Sequence, residues 1–196
     1  ALPGICYKPD RARHRRQWMQ GIFSFVRAGK ATTGGVRPAQ KVRPTLRDFQ
    51  RQKLYRFEEH LLMKHPFNVA LSLAGCTELA RRYNPEIDVR DGRGRRHAGA
   101  SYQDNLITLP RWSRQTVIVL HEVAHTLVDD TLYPHHGAEF VGLFIGLLAR
   151  EGLGTVESNS QAARQARLKL DPIWIARSRV PALRQISEQI DLLAHL

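Results

Sequence analysis

The stretch Ser113-Arg114-Gln115-Thr116-Val117-Ile118-Val119-Leu120-His121-Glu122-Val123-Ala124-His125-Thr126-Leu127-Val128-Asp129-Asp130 decides how this chain is read. Val117, Val119, Leu120, Val123, Ala124, Leu127 and Val128 cover a helix on most of its sides, so the helix belongs in a core, with Ser113 as its cap and Asp129-Asp130 as its end. His121 and His125 stand four positions apart, which on a helix is one turn along the same face. Burying two imidazoles and the Glu122 carboxylate is costly unless hydrogen bonds or a metal ion satisfy them. Two nitrogens on one face can reach a single ion.

A catalytic zinc takes three protein ligands and keeps one position for water, so a third ligand has to come from beyond the helix. The run His135-His136-Gly137-Ala138-Glu139-Phe140 supplies it. His136 stands eleven positions after His125, enough for the chain to leave the helix and reverse. Spacing alone leaves His135, His136 and Glu139 open. Asp129, one turn past His125, is placed to hydrogen-bond a ligand imidazole and fix its tautomer.

Residues 138–149 read as a second buried helix, stopped by Gly152 and Gly154. Upstream, Leu46, Phe49, Leu54, Phe57, Leu61 and Leu62 recur at helical steps until His65-Pro66, and a further helix is expected from 68 to about 83, ended by Asn84-Pro85. The period then changes. Residues 87–91 and 97–102 read as short strands about the turn at Gly92 and Gly94, and Asn105, Leu106, Ile107, Thr108 and Leu109 form another strand, closed by Pro110. Two more helices are expected near 160–169 and 181–195.

Charge is unevenly spread. Residues 1–53 carry thirteen Lys and Arg against Asp10 and Asp48, whereas the other 143 residues carry seventeen basic against sixteen acidic side chains. A basic leader on a neutral body marks an electrostatic arm for nucleic acid, an anionic surface or an acidic partner. Within the leader, residues 18–26 form an apolar island that can dock as a short helix. Cys6 and Cys76 are too far apart to suggest a disulfide framework or a cysteine zinc site. No stretch approaches the roughly 18 apolar residues of a membrane span, and no secretory signal is evident. The expectation is a soluble, cytoplasmic protein.

The pair His-Glu-x-x-His at 121–125 and His-Gly-x-Glu-Phe at 136–140, preceded by a Gly-containing strand and the strand 105–109, resembles the SprT-like zinc metallopeptidases. Small uncharacterised metallohydrolases of actinobacteria and their phages look closer still. The resemblance covers about residues 47–151, and the segment between the second and third ligands is shorter here than in some SprT-like proteins. It implies an α+β, zincin-like fold, with a small antiparallel sheet packed on helices that include the His121–His125 helix. It implies one Zn²⁺ per chain held by His121, His125 and His136, with Glu122 as general base and with Glu139 and Phe140 supporting the loop. It also implies a bacterial or phage origin.

The chemistry expected of such a site is hydrolysis, in which zinc lowers the pKa of its water toward about 7 and Glu122 takes the proton. Tyr133, His135, His97 and Tyr102 are unranked candidates to steady the oxyanion. By analogy with the fold, the strand Asn105 to Leu109 would offer a free edge to an extended peptide. The expected layout is a basic extension over 1–45, a metallohydrolase domain over 46–155 and a helical segment over 156–196 packed on it. The expected activity is a zinc peptidase acting on a peptide or protein, tethered to nucleic acid by its basic N-terminus. Two other readings compete: a nucleic-acid-associated or virion structural protein with a structural or vestigial zinc site, and a cell-wall peptide amidase. An intact Glu122 argues against the first, and the lack of an export signal against the second.

Overall fold

In the computed structural model the described residues are 46–178, without the side chains of 62–64, and they belong to one compact unit. The basic extension, the apolar island at 18–26 and the helix expected at 181–195 lie outside them. The class is α+β, with six helices and one three-stranded sheet among the described residues. No helix among them is long and apolar enough to cross a membrane.

Helix α1 (Arg51–Lys64) buries Leu54, Phe57 and Leu61 along one face and stops at His65, ahead of Pro66. Its first amides are met by the Asp48 carboxylate, whose Oδ1 accepts from the backbone of Gln50 at 3.4 Å and of Arg51 at 3.2 Å. Helix α2 (Leu73–Arg81) is shorter than the pattern over 68–83 predicted. Residues 68–71 are drawn instead into an extended pairing, where Ala70 bridges Gln115, and Ser72 then caps α2 by accepting from Gly75 at 3.0 Å.

Strands β1 (Asp88–Asp91), β2 (Gly99–Ser101) and β3 (Leu106–Leu109) form the sheet in the order β1-β3-β2. The expected antiparallel sheet is in fact mixed. β1 runs parallel to β3 with Val89 opposite Ile107, and β2 runs antiparallel to it with Ala100 opposite the same residue. This central place follows from burial, since Ile107 and Leu109 are fully buried while β1 and β2 are largely exposed or half-buried. Among the described residues the edges are therefore β1 and β2, and the expectation that Asn105 to Leu109 offers an edge is overturned by the pairing of β3 on both sides.

Helix α3 (Thr116–Leu127) carries the deciding stretch and is buried over nearly its whole length. Ser113 does not cap it. That residue closes a 3₁₀ turn (Arg111–Ser113) by donating to the Pro110 carbonyl at 2.8 Å. The amides of α3 are met from the 68–71 segment instead, with Asn68 Oδ1 accepting from Val117 at 3.1 Å and the Val69 carbonyl accepting from Thr116 at 3.2 Å.

Helix α4 (Ala138–Arg150) lies against α3 and contributes Phe140, Leu143, Phe144 and Leu147 to the core. Two glycines on its other side admit the backbone of α6 (Pro172–Arg177): a Cβ on Gly142 would overlap the Asp171 carbonyl, and one on Gly146 would overlap the Ser178 hydroxyl. Helix α5 (Val156–Gln165), begun by a Thr155–Ser158 capping box, starts and ends a few residues before the predicted 160–169. With Ala163, Leu168, Trp174 and Ile175 in the common core, residues 156–178 are continuous with the body.

Candidate metal centre

His121 and His125 project from α3, and His136 arrives on the loop that ends at the Gly137 cap of α4. The Nε2 atom of His125 stands 3.1 Å from that of His121 and 3.2 Å from that of His136. Ligand atoms of these three residues all lie within 4.8 Å of one another. A tetrahedral ion about 2.0–2.1 Å from each nitrogen would separate the nitrogens by about 3.3–3.4 Å. The two separations made by His125 are close to that value, and all three ligand atoms fall within the 4.8 Å over which one small ion can gather them.

Ring tautomers are set from behind. His121 Nδ1 makes a short contact with the Glu58 carboxylate on α1, and His136 Nδ1 lies 2.5 Å from Asp48 Oδ2. A carboxylate only accepts, so each Nδ1 carries a proton, and each Nε2 presents a lone pair to the shared centre when its ring is neutral. Gln50 holds the His136 segment from the same side, donating from Nε2 to the His136 carbonyl at 3.0 Å and to the Lys169 carbonyl at 3.2 Å, and accepting from the Lys169 amide. Phe140 floors the site, with its centroid 5.1, 4.4 and 5.2 Å from those of His121, His125 and His136. Tyr55 packs against the same group, its centroid 6.1 Å from that of His121 and 5.7 Å from that of His136.

Electrostatics separate the three imidazoles. Burial disfavours a charge on His121, but the Glu58 carboxylate outweighs it and holds that ring above its ordinary value. His125 falls well below the ordinary value, first through burial and then through repulsion from the neighbouring His121. His136 is lowered by burial, against the pull of Asp48. Asp48 remains below the usual carboxylate range, because the bonds from His136, Gln50 and Arg51 together exceed its own desolvation. Glu122, buried beside His121, is pushed up to about 7 by desolvation, with His121 opposing and Glu58 reinforcing the shift.

The other residues singled out from sequence are placed differently. Asp129 Oδ1 accepts from the Thr131 amide at 2.8 Å and shapes the turn after α3, while the carboxylates on the imidazoles belong to Glu58 and Asp48. His135 is exposed, its ring 6.0 Å from that of His125, and it is not a member of the ligand group. Nor is Glu139, which occupies the first turn of α4 and folds back over Gly137. Tyr133 meets Trp174 edge-on at 5.6 Å, and His97 and Tyr102 flank β2.

Asp48, Gln50, Tyr55 and Glu58 were not singled out from sequence. Glu58 carried a signal: it falls between Leu54 and Leu61 on the buried face of α1, where a carboxylate needs a partner. Asp48 carried none beyond an ordinary helix-start aspartate. Compared with known proteins, the chain matches no family model, no curated protein and no solved structure.

Proposed function

We propose that this protein is a zinc-dependent hydrolase of peptide bonds with a zincin-like arrangement, in which His121, His125 and His136 hold the ion and Glu122 is the general base. The observation that carries the reading is the convergence of three Nε2 lone pairs, 3.1 and 3.2 Å apart, next to a buried carboxylate. Three nitrogen ligands from the described residues match the number that a catalytic zinc retains, and imidazole nitrogen is a donor type that suits zinc.

Bound zinc supplies a Lewis acid that polarises a carbonyl and acidifies a water molecule. Glu122 would take a proton from a water molecule attacking the carbonyl carbon and would return it to the amine as the carbon–nitrogen bond breaks. A carboxylate held near neutrality is suited to both transfers. Glu58 and Asp48 keep two imidazoles in the ligating tautomer, and Phe140 excludes water from beneath them. The edge of β2, which packs against α3 and is unpaired among the described residues, would offer backbone groups to an extended peptide.

The basic stretch 1–53 supports a further part of the reading, that the enzyme is tethered to nucleic acid. Deleting 1–45 is expected to abolish a salt-sensitive affinity for DNA, and unchanged binding defeats the tether. The catalytic reading is tested by metal analysis of wild type, His136→Ala and Glu122→Gln, beside casein and self-cleavage assays. One zinc per chain, weakened in the first variant and retained without activity in the second, is the expected result. Wild-type protein without zinc, or with zinc indifferent to His136→Ala, overturns the ligand set.

A further inference from the structure

A dication in a buried site has to be neutralised, because a net charge in a low-dielectric interior is strongly unfavourable. His121, His125 and His136 supply no negative charge as neutral ligands. Two carboxylates stand directly behind them, and both come from one short segment of chain, residues 48–58. Glu58 is 5% exposed and touches His121 Nδ1, and the Asp48 side chain is 20% exposed and lies 2.5 Å from His136 Nδ1.

We infer that Glu58 and Asp48 are positioning residues for the metal, acting through His121 and His136 to supply its two compensating negative charges and to lock both rings with Nε2 facing the ion. The inference rests on the three-histidine reading above. It goes beyond that reading by assigning affinity for the ion to α1 and its entry, elements outside the His-Glu-x-x-His segment.

Geometry ranks the two. Glu58 lies in the core between Leu54 and Leu61, so its charge is screened little by water, and it contributes more than the part-exposed Asp48. The Asp48 contact has a second support that Glu58 lacks. Gln50, two residues on, bonds the His136 carbonyl and both backbone groups of Lys169, which pins the entry of α1 to the ligand loop. Asp48 and Gln50 together therefore fix where His136 sits, whereas Glu58 fixes how His121 is turned.

The test uses the full chain and zinc alone, with affinity measured by competition against a chromophoric chelator and imidazole tautomers by nitrogen NMR. Glu58→Gln and Asp48→Asn keep an acceptor for Nδ1–H but remove the charge, and Glu58→Leu removes both. We expect zinc affinity to fall about 10–100-fold in Glu58→Gln, less in Asp48→Asn and most in Glu58→Leu. In metal-free protein, at a pH high enough for the His121 ring to be neutral, its single tautomer should persist in Glu58→Gln and become mixed in Glu58→Leu. A wild type that binds zinc, with Glu58→Gln and Asp48→Asn binding it equally tightly, overturns the inference and leaves the ligand set standing. A wild type that binds no zinc overturns the reading beneath it. Should the Glu58 variants not fold, the Asp48→Asn comparison decides alone, since its side chain is partly exposed and the amide retains the helix cap.

Discussion

Asp48 uses its two carboxylate oxygens for two different tasks: Oδ2 receives the Nδ1 proton of His136 at 2.5 Å, and Oδ1 receives the first amides of α1. The start of a helix and the orientation of a candidate metal ligand are thereby tied to one side chain. Asp48→Ala should cost the metal-free protein about 0.5–2 kcal/mol as a lost cap. Asp48→Asn should cost much less. Urea unfolding of the two variants checks the difference, and equal losses would mean that the cap is not what is measured.

Glu122→Gln keeps the shape of the side chain and removes the base. It is expected to retain one zinc per chain and to lose roughly 10²–10⁴-fold in kcat/KM. Side-by-side metal content and peptidase rates decide this, and a loss of zinc in step with activity would make Glu122 a structural element of the site.

Zinc affinity should fall as the medium becomes more acidic. His125 and His136 are held below their ordinary values and are neutral near pH 7, whereas Glu58 holds His121 above the ordinary 6.5. The proton that zinc must displace therefore sits on His121, and its Nε2 binds that proton more tightly than a free imidazole does. Competition should begin above pH 6.5 and strengthen as pH drops, approaching tenfold per pH unit for one displaced proton. Chelator titrations between pH 5.5 and 8 test this, and a flat profile would contradict it.

Cys76 is fully buried, and desolvation pushes its thiol up to about 11. Mass spectrometry of the Cys76 peptide should show little alkylation in the folded protein at pH 8 and rapid alkylation in urea. The raised value also makes a signed contribution to stability. It is fully present below the ordinary thiol value of 9.0 and is lost as pH rises through about 11.

Gly142→Ala should destabilise the protein by about 1–3 kcal/mol, because the new methyl group would overlap the Asp171 carbonyl and force α6 away from α4. Gly94→Ala provides a contrast, since its Cβ meets nothing and only a backbone φ of +81° opposes it. Thermal unfolding separates the two, with the larger fall expected at Gly142.

His121, Glu122 and His125 were legible without a structure because their relation is local: a helix in a core places positions four apart on one face whatever surrounds it. The buried face of α1 and the buried segments α3, α4 and β3 were legible for the same reason, since apolar period reports burial directly. Strand neighbours were not. β1, β2 and β3 are three or four residues long, and so short a strand does not encode whether its partner runs parallel or antiparallel. Helix α6 escaped notice because six residues are too few for a period, and only Gly142 and Gly146 on a distant helix make room for it.

By itself, then, the amino-acid order determined one helix, its two imidazoles and its carboxylate, and it narrowed the candidates for a third ligand to His135, His136 or Glu139. The choice of His136 in the structure, the Nδ1 protons given to Glu58 and Asp48, and the central place of β3 were decided only by tertiary packing. The physical reason is separation along the chain. Asp48 and His136 stand 88 positions apart and Glu58 and His121 stand 63 apart, and contacts of that range exist only after the core has brought α1 against α3.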